Sequence, residues 1–188
     1  MALANTTVVL GIPIPSSDPV FLAIIAIHVL FGLAAVIAGV VAMLSKKGRG
    51  RHSISGTIYF WCLFGVFVTM STLSFMRWAE NYHLFILGAL SFASAYFGRT
   101  AARRRWHQWQ WPRLHLTGMG ASYIVMLTAF YVDNGKNLPL WRELPEITFW
   151  FLPSAVGAPL ILYALFRHPL VLGIDRTRAD IVRPTNSK

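Results

Sequence analysis

The sequence predicts an all-α integral membrane protein with five transmembrane helices, built as an antiparallel four-helix core plus a fifth, proline-bent helix. Of its 188 residues, 55% are hydrophobic and only 13% are charged, whereas an ordinary soluble domain carries about 25% charged residues. The apolar residues also lie in long runs, and a helix needs only about 20 of them to cross the hydrocarbon core. Basic segments separate these runs, which is typical of a multi-span protein.

The five predicted spans follow one another with short connections, and prolines mark several of their boundaries. They cover residues 20–44, 53–76, 78–97, 114–132 and 147–166. Pro19 and Pro112 precede the first and fourth spans, at positions where a starting helix does not need the missing amide hydrogen. Pro153 and Pro159 lie inside the fifth span and predict its bend, which a membrane helix tolerates when its neighbours satisfy the freed carbonyls.

The distribution of basic residues predicts the orientation of these spans. The segments 45–52, 98–113 and 167–188 fall on one side and together hold 14 of the 17 Lys and Arg residues. Because cytoplasmic loops are enriched in Lys and Arg, we expect a protein of the cytoplasmic (inner) membrane with its N-terminus outside and its C-terminus inside. The chain then divides into an external segment (1–19), one membrane domain (20–166) and a cytoplasmic basic tail (167–188).

The net charge of +10 is explained by these basic segments. In a soluble chain such a charge would point to nucleic acid, but here the topology accounts for it and no nucleic-acid partner is expected. In the second basic loop, Trp106, Trp109 and Trp111 alternate with polar residues. This pattern is typical of an interfacial segment whose arginines attract anionic lipid headgroups, although a loop that serves only to set the topology remains the alternative.

Four histidines occupy matching places in two consecutive pairs of spans. His28 and His83 lie in the outer halves of the first and third spans, whereas His52 and His115 open the second and fourth spans from the cytoplasmic side. In an up-and-down four-helix bundle, alternate helices face each other diagonally across the core. The sequence therefore predicts that His28 faces His83 and that His52 faces His115.

Two imidazoles on facing helices are suited to bind the iron of a b-type haem from both sides. We therefore predict an outer haem between His28 and His83 and an inner haem between His52 and His115. Such a protein would move electrons across or within the bilayer, between redox partners that the sequence does not identify. Whether it is also an enzyme is left open.

Two resemblances accompany this prediction. The histidine layout resembles the diheme transmembrane cytochromes of the ascorbate-dependent ferric reductase type, in which ligand pairs come from alternate helices, one pair per leaflet. The stretches "RHSISGTIYF" and "WPRLHLTGMGASYIVMLTAFYVDNGKNLPLW" resemble a bacterial family of multi-pass membrane proteins without an assigned function (domain of unknown function 2306). The second resemblance implies a multi-helix membrane fold and no particular activity.

Two other interpretations of the histidines remain open. In the first, the protein is a non-catalytic membrane subunit whose histidines only hydrogen-bond neighbouring helices, which stabilises packing by about 1 kcal/mol per contact. In the second, His28, His83, Glu80 and Asp133 form an outward-facing zinc site, since imidazoles and a carboxylate can bind zinc and leave one position for water.

Overall fold

The computed structural model describes residues 7–9, 12–14, 18–105, 110–139 and 141–167. It confirms the all-α class, with five helices that are long and apolar enough to cross a membrane. These helices are α1 (Pro19–Leu44), α2 (Arg51–Met76), α3 (Trp78–Arg104), α4 (Trp111–Asn134) and α5 (Glu146–Arg167). A short 3-10 helix, Gly135–Asn137, follows α4. Ahead of α1, the strands β1 (Thr7–Val9) and β2 (Ile12–Ile14) pair antiparallel, a hairpin that the sequence did not predict.

The end of α3 is the largest difference between the predicted and the observed helices. The predicted third span stopped at residue 97, whereas α3 continues to Arg104, so much of the predicted loop 98–113 is helical. The apolar run marks the part of the helix inside the hydrocarbon core, and alanine and arginine are strong helix formers that prolong the helix beyond it. Arg105 then ends α3 in the left-handed conformation, with φ 49°.

The helices pack in sequence order, α1 against α2, α2 against α3, α3 against α4 and α4 against α5. Successive helices therefore run in opposite directions, and the bundle has two chemically different ends. We call the end where α1 and α3 finish and α2 and α4 begin the basic end. The opposite, acidic end carries all the described acidic residues, Asp18, Glu80, Asp133, Glu143 and Glu146. The ion pairs within the described chain also lie there, namely Arg77–Glu80, Lys136–Glu146 and Arg142–Glu143.

A buried hydroxyl network joins the four core helices near the middle of the bundle. The Ser122 hydroxyl donates its single proton to a carbonyl of its own helix. In its 2.8 Å contact with the Tyr59 hydroxyl, Ser122 Oγ is therefore the acceptor and Tyr59 the donor. Ser91 of α3 donates to the Ser122 carbonyl at 2.8 Å, and Tyr123 of α4 donates to the Val36 carbonyl of α1 at 3.2 Å. Because these bonds join specific positions of α1, α2, α3 and α4, they fix how the helices are aligned along the bundle.

The interface between α2 and α3 is a column of aromatic rings that runs along much of the bundle. Phe60 and Phe67 of α2 pack on Phe92 of α3, with ring centroids 5.5 Å apart in both pairs. Phe67 also packs on Phe85 at 6.3 Å, and Phe85 on Phe75 at 5.9 Å. The column ends near the basic end at Phe60, and this ring forms part of the site described below.

Two glycines bring α3 and α4 into backbone contact near the basic end. A Cβ atom on Gly118 would lie 2.7 Å from Cα of Gly98 and 2.9 Å from the Ser94 carbonyl oxygen. Backbone atoms of packed helices cannot rotate away as a side chain does, so this crossing requires glycine at both positions. The crossing holds the start of α4 against the end of α3, and it therefore sets the position of His115.

The fifth helix lies at the edge of the bundle and contacts α4. It remains helical through Pro153 and Pro159. A Cβ atom on Gly157 would meet Ile124 of α4 at 2.5 Å, and one on Gly120 would meet Ile161 of α5 at 2.6 Å. These reciprocal contacts dock α5 against α4.

Candidate functional site

The imidazole of His52 is oriented by the end of α1. Its Nδ1 lies 2.9 Å from the Ala42 carbonyl oxygen, one of the last carbonyls of α1, which have no partner within their own helix. A carbonyl can only accept, so Nδ1 carries the proton and donates it. In the neutral ring, Nε2 is then left with a free lone pair.

His115 follows the same plan in the second helix pair. Its Nδ1 donates to the Gly98 carbonyl oxygen at 3.0 Å, across the glycine crossing that joins α3 to α4. Here too the second nitrogen, Nε2, keeps a lone pair in the neutral ring. The two hairpins α1–α2 and α3–α4 therefore repeat one contact, in which a histidine on the second helix donates to a carbonyl near the end of the first.

The structure brings the imidazoles of His52 and His115 together at the basic end. Their ring centroids are 6.1 Å apart, and the ring planes are almost perpendicular, at 85°. Ordinary aromatic pairs also fall in this distance range. What distinguishes this pair is that both Nδ1 protons are already held by helix carbonyls, so that the two ligand-type nitrogens remain available.

Positive charge surrounds this pair. Lys47 and Arg99 both lie within electrostatic range of the His115 ring. The Arg99 guanidinium donates to Thr57 Oγ1 at 3.3 Å, and its Cζ lies 4.6 Å from the centroid of the Phe60 ring. No carboxylate of the described chain lies at this end, so these partly buried cations favour an anionic ligand beside the histidines.

Lys47 lies in the connection between α1 and α2. Its ammonium donates to the Met43 carbonyl at 2.7 Å and lies 3.3 Å from the Ala42 carbonyl that His52 also contacts. Partial burial lowers the pKa of this ammonium, since burial disfavours the charged form. Lys47 therefore caps α1 together with His52 and keeps a cation close to the histidine pair.

The surface of α2 is open at Gly56, one helical turn from His52. Gly56 follows four residues later on the same helix face, and nothing stands within 4 Å of the place where its Cβ would be. Its counterpart on α1 is Gly32, four residues after His28, which is also open. A flat ligand that extended from the His52 ring along α2 would therefore meet no side chain at Gly56.

The structure places the two outer histidines in different surroundings. His28 Nδ1 lies 2.9 Å from Thr69 Oγ1 on α2, and this hydroxyl is a donor to its own helix, so it accepts from His28. The His83 ring packs instead on Trp150 of α5, with centroids 6.3 Å apart. Among the described residues, no hydrogen bond or ring contact joins His28 to His83, so the predicted outer haem site gains no support from these contacts.

The residues considered for zinc are also dispersed among other partners. Glu80 pairs with Arg77, with a shortest N–O distance of 2.6 Å, and His28 bonds Thr69. Only His83 and Asp133 lie within electrostatic range of each other. Within the part of the chain that the structure describes, no group of three or more His, Cys, Asp or Glu residues is close enough to hold a metal ion.

Parts of the sequence interpretation lie outside the described residues, namely Trp106 and Trp109 of the second basic loop and residues 168–188 of the basic tail. Conversely, the structure adds Lys47 and Arg99 to the surroundings of the inner histidine pair. The sequence interpretation had counted both only as residues that set the topology. The signal that could have identified Arg99 is its position, directly after the apolar run of the third span.

No family model, curated protein or solved structure matches this chain. The geometry of the site is therefore the basis of the functional proposal that follows.

Proposed function

We propose that this chain is a membrane-embedded b-type haem protein that moves electrons within the bilayer, with its haem held between His52 and His115. The observation that carries the proposal is the arrangement of these two rings, 6.1 Å apart and almost perpendicular, with both Nδ1 protons bound to helix carbonyls. By the positive-inside rule the basic end faces the cytoplasm, so this haem would lie near the inner surface of the cytoplasmic membrane.

The two rings are close enough for both to bind one iron. His52 and His115 would each hold it through Nε2, the nitrogen that does not donate to a helix carbonyl. The observed separation is 6.1 Å. Metal-bound histidines also commonly donate their other ring proton to a carbonyl, which fixes the tautomer and the ring orientation, and both His52 and His115 do so.

Two features near the pair would suit the rest of a haem. Gly56, four residues after His52, has nothing within 4 Å of its Cβ position, so a flat macrocycle that reached it would meet no side chain there. The haem also carries two carboxylates, which Lys47 and Arg99 would hold by charge-assisted hydrogen bonds. The bound group supplies one-electron chemistry. The protein would tune it through the Nδ1–H bonds, which would raise the basicity of the ligands, and through the two cations, which would favour addition of an electron.

The proposal differs from the sequence prediction in the number of haems. The contacts support one site at the basic end, whereas the outer pair, His28 and His83, stays a prediction. A structural role for the inner histidines is the second candidate, and a specific observation favours it: His52 caps α1 and His115 ties α4 to α3. These bonds would stabilise the bundle without any cofactor.

The absorption spectrum of the purified protein decides between these two candidates. We expect a Soret band, split visible bands on reduction and one extractable haem b per chain, because one pair of histidines converges. A colourless preparation, expressed with an ample haem supply, would overturn the proposal and favour structural histidines. Two haems per chain would show that the outer pair also binds and would overturn the single-site assignment.

Filling the space beside His52 should weaken haem binding without removing a ligand. In Gly56→Leu, the new side chain would occupy the open space on the His52 face, and we expect at least a tenfold loss of haem affinity in a haem titration. Gly32→Leu is the matched control, since that position is equally open but lies midway along α1, away from the basic end. Equal haem affinity of the two variants would show that Gly56 does not border the haem.

A further inference from the structure

A groove on the outer surface of α3 and α4 offers a second binding site, independent of the histidines. Its volume is about 450 Å³, and its lining is largely apolar, with Ala93 and Phe97 from α3 and Leu114 and Ala121 from α4. The volume lies within the range of small-molecule sites, roughly 300–1,000 Å³. The groove exists where Gly98 and Gly118 bring the two helices together and small residues stand beside them.

One charged residue lines the groove, and it stands at the end nearest the membrane surface. Arg113 lies in the first turn of α4, is exposed, and makes no hydrogen bond or ion pair with any described residue. From Arg113 to Ala121 the groove follows α4 toward the middle of the bilayer for about 12 Å, at 1.5 Å per residue. The groove is therefore cationic at the surface and apolar in the interior. A phospholipid has a matching arrangement, with a charged phosphate at the surface and apolar acyl chains in the interior.

We infer that this groove binds an anionic phospholipid, with the phosphate at Arg113 and an acyl chain along the α3–α4 surface. The charge of the basic end selects the anionic class. The last turn of α3 adds Arg103 and Arg104, and Arg105 stacks on Trp111, with its Cζ 5.9 Å from the ring centroid. With no described carboxylate at this end, a lipid with net negative charge is favoured over a zwitterionic one.

The test measures which lipids remain bound after purification from a bilayer of known composition. The protein is reconstituted in vesicles of equal parts phosphatidylglycerol and phosphatidylcholine, extracted in mild detergent, and its retained lipid is counted by native mass spectrometry. We expect phosphatidylglycerol to be retained in preference to phosphatidylcholine. Arg113→Gln should reduce this retention roughly fivefold, which corresponds to the contribution of one interfacial cation.

Two further variants separate the groove from general charge attraction. Ala93→Leu adds bulk at an exposed position of α3 inside the groove, and it should reduce phosphatidylglycerol retention several-fold with no change of charge. Arg142→Gln, an equal charge change at the acidic end, should leave retention unchanged. Equal retention of the two lipids, or a loss in Arg113→Gln without any loss in Ala93→Leu, would overturn the inference.

Discussion

Replacing His115 by alanine is expected to abolish haem binding, so that the purified variant lacks the Soret band of the parent protein. The same result is expected for His52→Ala, because in the proposed site each imidazole would bind one side of the iron and the remaining ligand would face an empty position. Removing a group that hydrogen-bonds a metal ligand typically lowers affinity 10–100-fold. Removing the ligand itself should lower it further. Haem content per chain, measured on protein from equal expression, is the readout.

Added imidazole provides a check that the loss comes from the ligand and not from misfolding. His115→Ala leaves a cavity at the position of the ring, and free imidazole that enters it can bind the iron from the same side. We expect millimolar imidazole to restore most of the spectrum during a haem titration of this variant. An unchanged spectrum in His115→Ala before any imidazole is added would reject His115 as a ligand.

The outer histidines provide matched controls. His28→Ala removes a hydrogen bond to Thr69, which should reduce the unfolding free energy by about 1 kcal/mol and leave the haem spectrum intact. His83→Ala removes a ring contact with Trp150 and should also keep the spectrum. Loss of one spectral component in either variant would show that an outer haem exists, as the sequence first predicted.

The number and order of the helices could be predicted from sequence, because each apolar run is long enough to cross the bilayer and is bounded by charge or proline. Helix ends could not be predicted as well. The α3 helix extends to Arg104. The thickness of the bilayer determines the length of the apolar run, whereas the helix continues for as long as the following residues favour helical backbone. Residues 98–104, which the sequence predicts as a loop, are therefore helical, and the Gly98 carbonyl in this segment accepts the hydrogen bond from His115.

The inner histidine pair could also be anticipated, because both residues stand at helix starts on the same side of the membrane. For the outer pair the sequence gives a weaker basis, and its pairing stays a prediction. A membrane helix is apolar toward lipid and toward protein alike, so its sequence does not strongly fix which face turns inward. In the structure, His28 turns to Thr69 of α2, while His83 turns to Trp150 of α5.

Arg99 shows how one feature of the sequence can serve two purposes. As a cation after an apolar run, it contributes to the charge asymmetry that orients the helices. The same residue is partly buried against Thr57 and the Phe60 ring, within electrostatic range of His115. Charge at the basic end would therefore serve the proposed haem site as well as the topology, and the sequence alone suggests only the second role.

Gly118→Ala should be among the most destabilising small substitutions in the chain. The new methyl group would lie 2.7 Å from Cα of Gly98 and 2.8 Å from its nitrogen, so α3 and α4 would have to move apart. Overpacking of this kind typically costs about 1–3 kcal/mol, and we expect a clear fall in the thermal unfolding temperature in detergent. Gly32→Ala, at a position where nothing lies within 4 Å of the added carbon, is the control and should unfold close to the parent temperature.

The same substitution also tests whether the helix crossing positions the proposed haem site. Moving α4 away from α3 lengthens the bond from His115 Nδ1 to the Gly98 carbonyl, now 3.0 Å, and removes the contact that orients the ring. We therefore expect Gly118→Ala to weaken haem binding 10–100-fold, in line with the loss of other outer-shell partners of metal ligands, even at temperatures where the variant remains folded. A folded Gly118→Ala protein with the haem affinity of the parent would show that the crossing stabilises the bundle but does not position the ligand.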